Sequence, residues 1–346
     1  MNLRLLSLLA LVLLIHVAVD ISFLAQKSFS TGNITLPPIK NGFNSSKVII
    51  LAFDDSSRTQ FELAKPVLDK YGFKGSFFTV CNFVIRGSEG VDKSRMTWQD
   101  IQTLKQQGHD IESHTMTHTD LNAKSPQNLN YETGGSKQCL LNHGINSTVF
   151  AYPESTGGYN SSVVNVVAKY YDLARVGDAP LAFMHCNGYK KENDINCLPF
   201  DKNGTLKYEN RYDVRNWSDR PKIEQSSSTT NQAPVSFNSQ QMLNQFIEEV
   251  NLQSLYNKNG CINAIPIVAY HNFLVDNNHI YLSTDSFTDV NLFEYEMKYL
   301  HDNGFVVLKM SNLGFNPVSN YLYIKGPIVI YNNNPTTISN VFLKNC

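Results

Sequence analysis

The chain contains few charged residues and no long run of either sign. Charged residues make up 17% of its 346 residues, and the formal net charge is -1. Because nucleic-acid-binding surfaces need clustered basic residues, this composition argues against nucleic acid as a partner. The sequence also has no internal repeat and no C-x-x-C pair or Cys/His cluster, so no cysteine-based metal site is predicted.

The N-terminus carries an apolar stretch of the kind found in export signals. The run Leu5–Val19 follows Arg4 and stops at Asp20. It is short for a membrane span but has the length of the apolar region of a signal peptide, and Ala25 is small enough to mark a cleavage site. Residues 1–25 are therefore predicted to be a signal peptide or, since more apolar residues follow Asp20, an N-terminal membrane anchor.

Two further features favour an extracellular or cell-surface location. Asn-x-Ser/Thr glycosylation acceptors occur at Asn33, Asn44, Asn146, Asn160, Asn203 and Asn216, although a chain rich in Asn and Ser contains some by chance. The cysteines are Cys81, Cys139, Cys186, Cys197, Cys261 and Cys346. Six cysteines allow many pairings, so the connectivity stays open. Cys186 and Cys197 flank a polar segment that a disulfide between them would close.

Strand-like and helix-like segments alternate after a polar linker at residues 26–46. Strands are predicted at 48–53, 75–80, 110–113, 148–152, 173–176, 212–217, 265–270 and 305–308, and helices at 60–71, 97–108, 126–143, 161–171, 239–256 and 286–303. Residues 178–237 form a predicted insertion. In the C-terminal extension, residues 311–346, the segments 321–324 and 327–331 are predicted to form a short hairpin.

The repeated β-α units predict a parallel sheet with right-handed crossovers. A chain of this length can bury a full barrel-sized core. The polar residues of interest follow predicted strands directly, and a (β/α) barrel builds its site from the carboxyl ends of its strands.

Two segments carry the chemistry. VIILAFDD ends in Asp54 and Asp55, and IESHTMTH contains His114 and His118 four residues apart. Two histidines at this spacing lie on one face of a helical turn. With a carboxylate they make a two-His, one-carboxylate site that leaves a position open for water or substrate, as hydrolytic zinc sites do. The alternative is a capped helix start with surface histidines.

These motifs resemble those of the polysaccharide deacetylase family (carbohydrate esterase family 4, the NodB homology domain). The family motifs TFDDG, H-[ST]-x-x-H, R-x-P-Y-G and L-x-H are similar, in this order, to AFDDS, HTMTH, FAYPES and VAYHN in this chain. The resemblance covers residues 47–310. It implies a distorted (β/α) barrel of about seven strands and a metal-dependent deacetylase.

The resemblance assigns a role to five residues. Asp55, His114 and His118 are the expected ligands of a divalent metal, with zinc favoured over cobalt, nickel or manganese. Asp54 is the expected general base and His271 the expected general acid. The alternatives are that one of the two acids caps the following turn and that His271 is a core histidine at a strand end.

The third motif departs from the family pattern. Tyr152, Pro153 and Glu154 correspond to the segment that lines the substrate groove and supplies a backbone N–H to the oxyanion, but Ala151 replaces the usual arginine. Members similar to poly-N-acetylglucosamine deacetylases also tend to lack that arginine, so this subgroup is the nearer comparison.

Without that arginine the base needs another orienting cation. Arg175, Arg211 and Arg215 are the candidates, and the sequence does not choose among them. Asp213 is the candidate partner that orients His271.

The prediction is an exported, metal-dependent deacetylase that removes N-acetyl groups from a polysaccharide or cell-envelope glycan. A monomer is expected, with a membrane tether at the N-terminus if the apolar segment is retained. One alternative is hydrolysis of O-acetyl esters or of another non-peptide C–N bond on the same scaffold. The other is a non-catalytic cell-surface module that binds glycans.

Overall fold

The computed structural model describes residues 34–36, 46–177, 179–184, 210–222, 236–276, 278–284, 286–318, 321–331, 338–341 and 343–345. The chain divides into two units, residues 1–34 and 35–346, and the fold described here belongs to the second. The predicted export segment at 1–25, most of the 26–46 linker and the Cys186–Cys197 staple lie outside the described residues. So do the acceptors Asn33, Asn44 and Asn203.

The strands, in chain order, are β1 Val48–Phe53, β2 Ser76–Thr79, β3 Asp110–Ser113, β4 Val149–Ala151, β5 Leu173–Val176, β6 Leu181–Phe183, β7 Val214–Arg215, β8 Trp217–Ser218, β9 Ser236–Phe237, β10 Cys261–Ile262, β11 Ala264–Tyr270, β12 Asn272–Leu274, β13 Tyr281–Leu282, β14 Phe287–Asp289, β15 Val306–Leu308, β16 Leu313–Asn316, β17 Tyr321–Ile324, β18 Ile328–Tyr331, β19 Ile338–Val341 and β20 Lys344–Asn345.

The α-helices are α1 Lys65–Lys70, α2 Cys81–Ser88, α3 Trp98–Gln106, α4 Pro126–Asn130, α5 Ser136–Asn142, α6 Ser161–Val167, α7 Ser239–Asn251 and α8 Val290–Asp302. Two π-helical segments, Gln60–Ala64 and Tyr131–Gly135, run directly into α1 and α5. Short 3-10 turns occupy Pro153–Ser155, Asn210–Tyr212, Leu252–Leu255 and Met310–Asn312.

A ten-stranded sheet curls into a nearly closed barrel. Eight strands follow the order β6-β11-β1-β2-β3-β4-β5-β7, and β15 and β8 pair with β1 and β11. All pairings within it are parallel except that of β6 with β11. The segment 214–218 bridges the two sides of the remaining gap, because β7 pairs with β5 while β8 pairs with β11. The predicted α/β barrel is confirmed, and part of the predicted insertion at 178–237 contributes strands to it.

The central strand β1 shows why the sheet folds this way. All six of its residues are fully buried, as expected of a β-branched run covered on both faces. Ile49, Leu51 and Phe53 pack in the cluster shared with the surrounding helices. Their alternating neighbours, Val48 and Ile50 among them, pack in the cluster that fills the barrel interior.

The C-terminal segment covers the end of the barrel where the strands begin. Leu313 and Leu322 belong to the same apolar cluster as the barrel interior. The Leu322 N–H donates to the carbonyl of Met184 at 2.7 Å, and the Met310 N–H donates to Ser76 Oγ at 2.9 Å. The site therefore opens at the opposite end.

The predicted hairpin between 321–324 and 327–331 is wrong. β17 pairs with β16 and β18 pairs with β19, so the two segments belong to successive hairpins. Both segments alternate apolar and polar residues, and that pattern does not reveal which strands are partners.

None of the helices in the described part of the chain has the length and apolar character of a membrane span.

A disulfide joins Cys81 to Cys139, at a sequence separation of 58. It ties the start of α2 to α5. Cys261 is disulfide-bonded as well.

Candidate active site

The predicted site residues gather at the carboxyl ends of neighbouring parallel strands. Asp54 and Asp55 follow β1, and His114 follows β3. Tyr152 follows β4 and His271 follows β11. Because these strands are neighbours in the barrel, residues far apart in sequence meet at one mouth.

Asp55, His114 and His118 form a group that could hold a metal ion, with one ligand atom from each lying within 4.8 Å of the others. Asp55 Oδ1 lies 3.5 Å from His114 Nε2 and 3.1 Å from His118 Nε2. Ligand atoms that bind one tetrahedral zinc ion lie roughly 3.3 Å apart. Asp55 Oδ1 is also buried and has no hydrogen-bond partner among the described residues. The donor set therefore fits a divalent metal.

Contacts and backbone conformation around the triad orient the atoms that would bind the metal. His114 Nδ1 lies 2.9 Å from the carbonyl oxygen of Ala151, to which an Nδ1–H would donate, leaving Nε2 free to bind the metal. Positive φ angles occur at Asp55 (72°), Thr115 (72°) and His118 (57°). Non-glycine residues rarely adopt this conformation, and where they do the surrounding contacts must hold it.

Charges within the triad compensate for its burial. Burial alone raises the pKa of Asp55, but the imidazoles of His114 and His118 hold that pKa well below its usual range. Burial lowers the pKa of His118, but Asp55, aided by Asp54 and Glu154, more than offsets this, so the pKa of His118 is raised. Asp55 is therefore an ionised carboxylate facing two imidazoles, as a two-His, one-carboxylate site requires.

The Arg175 guanidinium on β5 donates to Asp54 Oδ1. Arg175 also donates to Asn216 Oδ1 at 2.9 Å and lies over the Phe78 ring at 4.1 Å. Burial raises the pKa of Asp54, but Arg175 together with His114 and His271 outweighs this and the pKa is lowered. Asp54 is therefore held ionised in one orientation.

Of the three candidate arginines, Arg175 contacts Asp54, whereas Arg211 and Arg215, the tentative orienting residues, contact other groups. Arg211 lies over the rings of Tyr212 and Phe315, at 4.8 and 4.6 Å. Arg215 pairs with Asp213 at 3.4 Å, so the partner of Asp213 in the structure is an arginine and not His271. Arg175 and Arg215 lie in the short strands β5 and β7, and Arg211 lies in the 3-10 turn just before β7, so chain position alone does not separate the three arginines.

His271 stands across Asp54 from Arg175. Its Nε2 lies 3.9 Å from Asp54 Oδ2. Burial lowers the pKa of His271, and Asp54 and Asp55 oppose this without fully offsetting it. The His271 imidazole and the Asp54 carboxylate therefore lie close together at the carboxyl ends of β11 and β1.

Sequence reasoning missed Gln60, which ties these two strand ends together. The Gln60 side chain is fully buried, and its Nε2 donates to the carbonyls of both Asp54 and His271, the second at 2.6 Å. Gln60 opens the first π-helical segment, and such segments are frequent at functional sites. A glutamine at the start of an amphipathic helix gives no signal of this contact.

The third motif forms a tight turn beside the triad. Pro153–Ser155 is a 3-10 turn, and Glu154 and Ser155 have φ angles of 54° and 56°. The Glu154 side chain is exposed, and its charge contributes to the raised pKa of His118. Tyr152 is buried, and its hydroxyl has no hydrogen-bond partner among the described residues.

One predicted glycosylation acceptor lies inside the protein. Asn216 is only 2% exposed and accepts from Arg175, so the folded chain does not present it for modification. This corrects the expectation for Asn216, because the acceptor motif says nothing about burial. Asn146 is exposed, and Asn160 caps α6.

The polysaccharide deacetylase family model matches residues 41–172. This match confirms the resemblance to that family found in the sequence. The matched region includes the Asp-Asp, His-x-x-x-His and Tyr-Pro segments of the site.

Individual relatives agree with the family match. A protein of Bacillus subtilis (strain 168), YxkH, is named as a polysaccharide deacetylase and is 32% identical over 126 residues, which are 36% of this chain and 42% of YxkH. The chain spans less than half the length of the curated relatives it matches.

Two solved structures were compared as well. The Streptococcus pyogenes deacetylase PplD in complex with acetate is 27% identical, with a TM-score of 0.36 and coverage of 39% of this chain and 58% of that one. A family 4 carbohydrate esterase from Streptomyces lividans in complex with acetate is 11% identical, with a TM-score of 0.43 and coverage of 81% and 98%.

Proposed function

We propose that this protein is an exported, metal-dependent deacetylase that hydrolyses N-acetyl groups of an amino-sugar glycan to acetate and a free amine. The observation that carries the proposal is that a possible metal-binding triad, Asp55, His114 and His118, lies beside a buried ion pair between Asp54 and Arg175. A site that only binds sugar needs neither an orphaned metal-ligand oxygen nor an ionised carboxylate held by arginine.

The triad would hold a divalent metal, and zinc fits its two imidazoles and one carboxylate best, with cobalt, nickel or manganese as alternatives. Such an ion supplies a Lewis acid that acidifies water and polarises the acetamide carbonyl. The chain's own residues then carry the proton transfers and the orientation of the substrate.

Asp54 is the general base. Arg175 occupies Oδ1 of Asp54, which leaves Oδ2 to take a proton from the attacking water. His271, 3.9 Å from that oxygen, is placed to protonate the departing nitrogen. The backbone N–H of Glu154 is the proposed donor to the oxyanion, a role that a side-chain change at this position does not remove.

A neighbouring cavity supports a glycan substrate. It has a volume of about 450 Å³ and is lined in part by Ser57, Arg95 and Phe273. Ser57 and Phe273 come two residues after Asp55 and His271 in the chain, and Arg95 contacts Asp55. The cavity therefore adjoins the proposed site. Phe287 also lines the cavity, is 45% exposed and offers an apolar face to a sugar ring.

The proposed location is extracellular or at the cell surface, through the predicted signal or anchor at residues 1–25. The proposed partner is an N-acetylated polysaccharide or cell-envelope glycan, and the protein is proposed to act as a monomer. Hydrolysis of O-acetyl esters or another C–N bond is the second candidate activity. A glycan-binding role is the third, and it is favoured by Ala151 and Glu154, which depart from the family motif.

The test is acetate release by the purified chain from N-acetylglucosamine oligomers and from O-acetylated xylan. Each substrate is given to chelated protein and to protein reloaded with zinc. Zinc-dependent release from the amino-sugar oligomers alone supports the proposal. Release from xylan alone moves the activity to esters. Release from neither substrate by protein that holds one metal per chain contradicts both deacetylation proposals and favours another C–N bond or the glycan-binding role.

A further inference from the structure

The turn that carries both histidines of the triad is held by one buried carboxylate, that of Glu132. Glu132 Oε2 accepts from the backbone N–H of Met116 at 3.1 Å and from that of Thr117 at 3.0 Å. Glu132 Oε1 accepts from the Thr117 hydroxyl at 2.6 Å. The Glu132 residue is only 5% exposed. Three donors from one turn thus converge on a single side chain.

The opposite side of the same turn is held by the start of α2. The N–H of Cys81 donates to the carbonyl of Thr115 at 3.2 Å, and the N–H of Asn82 donates to the carbonyl of Met116 at 2.9 Å. The turn is therefore fixed through its N–H groups by Glu132 and through its carbonyls by α2. The Cys81–Cys139 disulfide joins the two supports, because Cys139 lies on α5, which continues from the segment that bears Glu132.

The support is needed because the turn is strained. Thr115 and His118 have φ angles of 72° and 57°. Non-glycine residues in this region are strained and persist only where their surroundings enforce the conformation. Glu132 accepts three hydrogen bonds from this turn, and within the turn the His118 N–H donates to Thr115 Oγ1 at 2.8 Å.

We propose that Glu132 is a positioning residue that sets the metal affinity of the triad by holding His118 in its strained conformation. Glu132 bonds to the two residues immediately before His118 and does not itself belong to the triad. The inference rests on the proposed metal site. It goes beyond that proposal by assigning metal affinity to a residue that neither the motifs nor the triad contain.

The test measures zinc affinity by competition with a chromophoric chelator for the wild-type chain and for Glu132→Ala and Glu132→Gln. Loss of groups that orient metal ligands usually weakens affinity about 10–100-fold. We expect a loss in that range for Glu132→Ala. We expect a smaller loss for Glu132→Gln, because the amide oxygen still accepts hydrogen bonds but the charge is gone.

Asp100→Asn is the matched control. The Asp100 carboxylate is also buried and accepts from the backbone N–H and hydroxyl of one threonine, Thr97, both at 2.8 Å. That contact caps α3 and does not touch the histidine turn. Urea unfolding of every variant in excess chelator measures the loss of stability without metal. Asp100→Asn should lose stability and keep its zinc affinity.

The outcomes separate this inference from the proposed function. If Glu132→Ala and Glu132→Gln both bind zinc within about two-fold of wild type, Glu132 has no positioning role. If Asp100→Asn loses as much zinc affinity as Glu132→Gln at equal loss of stability, the effect is general destabilisation and the inference is also overturned. If the wild-type chain binds no divalent metal, the proposed function fails first.

Discussion

The buried pair of Arg175 and Asp54 makes a prediction that needs neither metal nor substrate. The two side chains are 4% and 7% exposed. Removing one partner of such a pair leaves an uncompensated buried charge, which costs about 3–5 kcal/mol. Arg175→Met keeps most of the side-chain volume and should lower the free energy of unfolding by that amount. Asp54→Asn should also destabilise, because it leaves the guanidinium buried without its counter-charge.

The double variant shows whether Arg175 and Asp54 interact as a charge pair or contribute to stability independently. With both charges gone, Arg175→Met with Asp54→Asn should be less destabilised than the sum of the single variants, by roughly 2 kcal/mol or more. Urea unfolding of the four proteins in excess chelator gives the coupling free energy. Additivity within about 0.5 kcal/mol would refute the pairing on which the assignment of Asp54 rests. Arg215→Met, which breaks the pair with Asp213, should destabilise without a comparable loss of acetate release.

Three further predictions concern other contacts. Gln60→Glu removes both amide donors to the strand ends and should lower kcat at least about ten-fold with a smaller change in KM, measured by acetate release; an unchanged kcat would contradict the positioning. Replacing Cys81 and Cys139 by serine should cost about 4 kcal/mol in urea unfolding, from the 58-residue separation, and a cost under about 1 kcal/mol would contradict it. Burial lowers the pKa of His109 from 6.5 to about 3. The unfolded chain therefore binds the extra proton between these values, and stability should fall as pH drops from 6.5 toward 3. His109→Asn should flatten that slope in unfolding curves at several pH values, and an unchanged slope would refute the assignment.

The sequence predicts the barrel because its signals are local. β1 is a continuous β-branched run whose predicted bounds match the observed ones, and Thr97 with Asp100 forms a local capping box at the start of α3. The two residues that follow β1 and the histidines that follow β3 identify the site through fixed spacings. These features can be recognised in a single sequence because residues close together in the chain form them.

The rest of the site depends on contacts between distant residues, and the sequence could not supply them. Arg175 reaches Asp54 because β5 and β1 face the same barrel interior, across a separation of 121 residues. Glu132 and Gln60 read as ordinary polar positions on amphipathic helices. The partners of β17 and β18 were mispredicted for the same reason, since alternation gives the strands but not their pairing.

The measurement that tests the central claim most directly compares wild type with Asp54→Asn, determining bound metal and acetate release on the same samples. If Asp55, His114 and His118 hold the metal and Asp54 is the base, the variant keeps one zinc per chain and loses acetate release from N-acetylglucosamine oligomers by at least about 100-fold. Equal acetate release by the two zinc-loaded proteins would contradict the account.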